Sequence, residues 1–138
     1  DHMALAFAGV AAAARAGERG PSTVVAAMTA HPAMVAGEGR LCTDLMRAAG
    51  GRLFAKVGAE GVYCVGVPGA ELGIAVKVED GATRAVGPAI CEILRELDLI
   101  SEDELGTLLP HVFTQLVNTR GEVVGEIRPR IALRPCDA

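Results

Sequence analysis

The spacing of apolar positions changes period near residue 50 of this chain, and that change divides it into helical and strand-forming parts. Over residues 4–16, Phe7, Val10, Ala11 and Ala14 recur at helical spacing among alanines that favour close approach of a neighbour, and Gly17 and Gly20 end the run. Ser22, after Pro21, is placed to cap a second helix with Val24, Val25 and Met28 on one face, stopping at His31 because Pro32 disfavours helix in the residue before it. Residues 32–40 read as a loop, and Thr43 as the cap of a short helix through Leu45, Met46 and Ala49, closed by Gly50. From there the period is two. Residues 52–57, 61–67 and 72–78 are rich in β-branched side chains and separated by Gly and Pro turns, which predicts an antiparallel meander.

Helical spacing returns over residues 82–97, where Val86, Ile90, Ile93, Leu94 and Leu97 form an apolar stripe. Ser101 with Glu104 matches a capping box that starts another short helix, ended by Pro110. Residues 121–133 read as a last strand, with Pro129 placing its end on a sheet edge. Helices, a meander, then helices and a returning strand predict an α+β fold, an antiparallel sheet with flanking helices, rather than a doubly wound sheet.

At 138 residues the chain suits one compact domain. A formal net charge of −4 with interspersed signs leaves no basic patch for a phosphate backbone, so no nucleic acid is expected as a partner. Aromatics are scarce, with no Trp, one Tyr and three Phe, which argues against base-stacking platforms. Cys42, Cys64, Cys91 and Cys136 lie too far apart for a C-x-x-C metal pattern or a dense disulfide framework, and they read as reduced thiols of a cytoplasmic protein. The apolar opening is too short to span a bilayer and lacks the basic start of a secretory signal, so no membrane partner is expected. Asp1-His2-Met3 reads as a vector remnant, with the domain taken as residues 4–138.

Candidate chemistry concentrates around residues 50–64. Alternation puts Leu53, Ala55 and Val57 on one sheet face and Phe54, Lys56 and Gly58 on the other, so a lone lysine emerges beside glycines that leave room for something to approach. Lys56 is either an ordinary solvated strand lysine or a desolvated amine able to shuttle a proton. Glu38, Arg40 and Cys42 crowd into one loop ahead of a helix start, where backbone amides favour an anion, with an ordinary capped helix as the competing account. Gly37-Glu38-Gly39 lacks the strand and long helix of a dinucleotide site. His31 and His111 have no carboxylate pattern around them and read as helix-end histidines.

Three separated blocks in order carry a resemblance: His31-Pro32-Ala33-Met34-Val35-Ala36-Gly37-Glu38-Gly39-Arg40, then residues 53–63, then Leu72-Gly73-Ile74-Ala75-Val76-Lys77-Val78-Glu79-Asp80-Gly81. From about residue 4 to 129 the chain resembles the C-terminal part of the bacterial asparaginase II family, the thermolabile rhizobial type of L-asparaginase. The resemblance implies a fold similar to serine β-lactamases and glutaminases, and hydrolysis of L-asparagine to aspartate and ammonia. It implies that Lys56-Val57-Gly58 matches the lysine-x-glycine triplet on an active-site strand, with Lys56 as the second catalytic lysine. It further implies substrate contacts from Glu38, Arg40 and Gly58. Cys42 matches a cysteine that can serve as a zinc ligand; no cofactor is required, and one cysteine leaves such a site incomplete.

The family's serine nucleophile belongs to a Ser-x-x-Lys motif in an N-terminal half, whereas Ser22 and Ser101 are the only serines here and neither precedes a lysine by three. The expectation is therefore a C-terminal portion, inactive alone, whose partners are L-asparagine and the missing half; the alternative is a non-catalytic binding or assembly module derived from the same scaffold. Apolar surface left uncovered predicts a homo-oligomer.

Overall fold

The computed structural model describes residues 2–135, which include seven α-helices and five strands. Helices α1 (His2–Arg15), α2 (Arg19–Ala30), α3 (Pro32–Ala36) and α4 (Leu41–Ala48) come first. Strands β1 (Phe54–Val57), β2 (Val62–Val67) and β3 (Leu72–Lys77) then form an antiparallel sheet in the order β1-β2-β3. They are followed by α5 (Val86–Glu96), α6 (Glu102–Thr107) and α7 (Leu109–Val112), and by a separate hairpin of β4 (Thr114–Val117) and β5 (Val123–Ile127). This is the expected α+β arrangement of small antiparallel sheets flanked by helices.

The meander follows from its turns. The amide of Val62 donates to the Ala59 carbonyl, and the two residues between, Glu60 and Gly61, both have positive φ (55° and 70°). That backbone twist suits a tight antiparallel hairpin. Register pairs Phe54 with Gly66 and Gly66 with Gly73, so these three share one sheet face. Both glycines are required by space. A Cβ on Gly66 would lie 2.2 Å from the Phe54 ring, and one on Gly73 would lie 2.0 Å from the Ala4 carbonyl of α1. Helix α1 thus rests directly on the sheet backbone, and Phe7 stacks on Phe54 with ring centroids 5.4 Å apart. The opposite face, with Ala55, Tyr63 and Val65, packs toward α4 and α5, whose Leu45, Met46, Ile90 and Leu94 are fully buried.

Several boundaries differ from the periodicity. Helix α2 starts at Arg19, not at Ser22, and the Ser22 hydroxyl instead donates to the Ala14 carbonyl, tying α2 to α1. Residues 32–36 form the short α3 where a loop was expected, because proline is well suited to a first helical turn. Helix α4 opens at Leu41 and encloses Thr43, whose buried hydroxyl lies within hydrogen-bond reach of the carbonyls of Pro32 (3.1 Å) and Gly37 (2.6 Å) and donates to them. The hydroxyl therefore pins the preceding segment and does not cap. The long helix expected from residue 82 begins with a 3-10 turn, Thr83–Ala85, before α5. The final strand is shorter than predicted and pairs with β4, which the pattern did not announce. Phe113, Leu116, Val117, Val123 and Val124 around this hairpin are exposed.

The capping box is formed as expected: the Glu104 amide donates to the Ser101 hydroxyl, and the Ser101 amide to the Glu104 carboxylate, which also receives Arg52 at 2.8 Å. The Ser101 amide, followed by Arg52, holds the Glu104 carboxyl below its usual range. A folded-state value lower than the unfolded one makes the contribution complete above the ordinary carboxylate range and removes it as pH falls through the lowered value. The stability difference between wild type and Glu104→Gln should therefore shrink on acidification, read by denaturant melts at stepped pH. Gly73→Ala, which drives a methyl into the backbone of α1, should destabilise by about 1–3 kcal/mol in the same melts.

Candidate active site at the open edge of β1

Strand β1 has a neighbour on one side only, so its far edge carries backbone groups that need other partners. The amide of Gly58 donates to the Val62 carbonyl, which makes residue 58 a hydrogen-bonded position and, by alternation, turns the amide and carbonyl of Val57 away from β2. Two side chains meet them there. The Val57 amide donates to the Cys42 sulfur at 3.1 Å, and the Lys56 ammonium donates to the Val57 carbonyl at 2.8 Å. The thiol and the amine therefore bracket one peptide residue on the open edge. Lys56 leaves the strand on the α1 side of the sheet and is exposed, so the solvated alternative describes it and the desolvated one does not.

On the other face of the sheet lies a cleft of about 390 Å³, lined by residues of the loop before α4, the start of α4, β1, β2, the start of α5, and α7. Arg40 and Cys42 are among its walls, with Val57 and Tyr63 from the sheet and His111 from α7. Its position follows from local packing. Thr43 anchors the loop that carries Arg40, and Gly87, where a Cβ would stand 2.2 Å from the His111 carbonyl, lets α7 close against α5.

Charges around the cleft are mostly committed. Arg84 pairs with Asp80, and both oxygens of that carboxylate are engaged, one by the Ala82 amide and one by the Arg84 guanidinium. The Ala82 amide first, and Arg84 second, hold the Asp80 carboxyl below its usual range. Asp44 takes the His111 ring at 2.7 Å, a pair between α4 and α7. Glu38 points away from the cleft and forms a two-pronged pair with Arg47 at 2.6 and 2.8 Å, which holds its carboxyl below the usual range. The Arg40 guanidinium, by contrast, has no hydrogen bond or ion pair among the described residues.

Tyr63 is 1% exposed, and its hydroxyl finds no hydrogen-bond partner among the described residues. Burial, and secondarily the neighbouring Cys42 thiol, push its ionisation above the usual phenol range, so the hydroxyl stays a proton donor. Burial also raises the thiols of Cys64 and Cys91, the latter to about 12, in keeping with packing roles. Cys136 lies outside the described residues.

Of the residues singled out from sequence, the structure brings Arg40 and Cys42 to one cleft and sets Lys56 on the adjoining strand edge. Glu38 stands outside, and Gly58 is exposed beyond the end of β1. Sequence reasoning missed Tyr63 and His111. No local signal announced them, since Asp44 and His111 are 67 residues apart. Among the described residues no three His, Cys, Asp or Glu side chains converge as a metal site. No described helix is long and apolar enough to cross a membrane.

An α+β domain with a lysine and a thiol at an open sheet edge is the class that the fold and the site define. The family model for L-asparaginase II matches residues 1–129, and the chain belongs to that family. No curated protein matches it.

Tyr63→Phe removes a buried hydroxyl that lacks a partner, and should leave unfolding stability unchanged or raise it by up to about 1 kcal/mol, measured by denaturant melts.

Proposed function

We propose that the chain is the lysine-bearing portion of an L-asparaginase-type amidohydrolase that releases aspartate and ammonia from L-asparagine. Family membership supports the reaction class. The observation that carries the site is the Lys56 amine on the open edge of β1, where it and Cys42 bracket Val57, a residue whose other side lines the cleft with Arg40.

The chemistry asks for a hydroxyl nucleophile and a proton carrier. A neutral amine at Lys56 takes the hydroxyl proton as oxygen bonds to the amide carbon, and returns it to the nitrogen as the carbon–nitrogen bond breaks and ammonia leaves. Water then cleaves the acyl–oxygen bond and yields aspartate. The chain's two serines have other duties: Ser22 binds the Ala14 carbonyl, and Ser101 caps α6. In this reading the nucleophile comes from a further portion of the family's fold, and covering the β1 edge with it strips water from the amine, which disfavours the charged form. Arg40 offers a guanidinium to the substrate carboxylate.

The occupied serines also favour a second reading, in which the chain by itself binds asparagine without turning it over. Ammonia release from L-asparagine by the full-length protein should fall by a factor of about 100 or more in Lys56→Met. Equal rates in the two proteins would remove Lys56 from the reaction, and calorimetric binding without ammonia would favour the second reading.

A further inference from the structure

The hairpin of β4 and β5 stands apart from the rest of the fold. Neither strand packs extensively on another described element, and Leu116, Val117, Val123 and Val124 are exposed. No described backbone group outside the hairpin hydrogen-bonds to the backbone of residues 115–117. Two strands alone are marginally stable in water, and further strands are what make such a sheet hold.

The two outer edges of the hairpin differ. Strand β5 carries charges at Glu126, whose carboxylate pairs with Arg128 at 2.6 Å just past the strand, an extra residue at Val124 that shifts the register, and Pro129 beyond its end. Charges, a bulge and a proline are the features that keep one sheet edge from pairing with another. Strand β4 has none of them, because residues 113–119, Phe-Thr-Gln-Leu-Val-Asn-Thr, include no charge and no proline.

We propose that β4 is the interface of a homodimer, its outer edge pairing antiparallel with β4 of a second copy across a two-fold axis at Leu116. In that register Leu116 meets its own copy and Gln115 meets Val117, and alternation keeps each pair on one face of the sheet. No like charges oppose each other there, whereas β5 paired with itself about Glu126 or Arg128 would set like charges face to face. The product is a four-stranded sheet in the order β5-β4-β4-β5. Both of its outer strands are the blunted β5, so the assembly closes at two copies and does not grow into a filament. A second copy thus supplies both the uncharged edge that pairs and the blunt edge that stops further pairing. The inference is independent of the amidohydrolase reading.

The test is sedimentation equilibrium of the 138-residue chain from about 1 to about 100 µM, which should show a monomer–dimer equilibrium with a dissociation constant on the order of 10 µM, as suits a small interface. Leu116→Lys and Leu116→Asp each set like charges across the axis and should each be monomeric throughout that range, and an equimolar mixture of the two should recover a dimer. Leu116 is 44% exposed, so neither change reaches the core, and thermal melts of the two monomers check that they are folded. The proposal is overturned by a wild-type chain that stays monomeric at about 100 µM, by species larger than a dimer, by dimers that persist in either variant alone, or by a mixture that stays monomeric. Ammonia release is not read, so failure of this interface and failure of the Lys56 mechanism are told apart.

Discussion

The unpaired edge of β1 is the constraint around which the rest is arranged. A strand with a neighbour on one side leaves alternate amides and carbonyls without partners, and such groups are costly to bury unsatisfied. At Val57 the amide is taken by the Cys42 sulfur, and the carbonyl by the Lys56 ammonium. The first contact fixes the start of α4 against the sheet and so sets the height of the cleft wall. The second holds the amine at the margin of the same edge.

Helix packing on both sheet faces gives that edge its surroundings. On one face Gly66 and Gly73 remove side chains so that Phe54 and the backbone of α1 can sit directly on the strands. On the other, α4 and α5 enclose Tyr63 and leave the cleft where the loop before α4 turns away. Lys56 belongs to the first face but lies beyond the cover of α1, which accounts for its exposure beside a largely buried strand.

Electrostatics around the cleft separates committed from available groups. The pairs Asp80–Arg84 and Glu38–Arg47 neutralise their own charges locally, and Asp44 is hydrogen-bonded to the His111 ring. Arg40 and Tyr63 are left as donors without acceptors among the described residues.

Much of this was legible in the sequence. The change of period near residue 50, the capping box at Ser101 and Glu104, and the alternation placing Lys56 opposite Val57 depend on neighbours in the chain, and local spacing is enough to determine them. The family was legible too, because its three blocks are contiguous runs of residues. Tertiary structure alone decided that Thr43 would anchor a loop and not cap a helix, that Glu38 would turn to Arg47, and that Tyr63, Arg40 and His111 would meet at one cleft. Those outcomes depend on which donors and acceptors come within about 3 Å after the helices pack, and residues separated by tens of positions leave no periodic trace of that meeting.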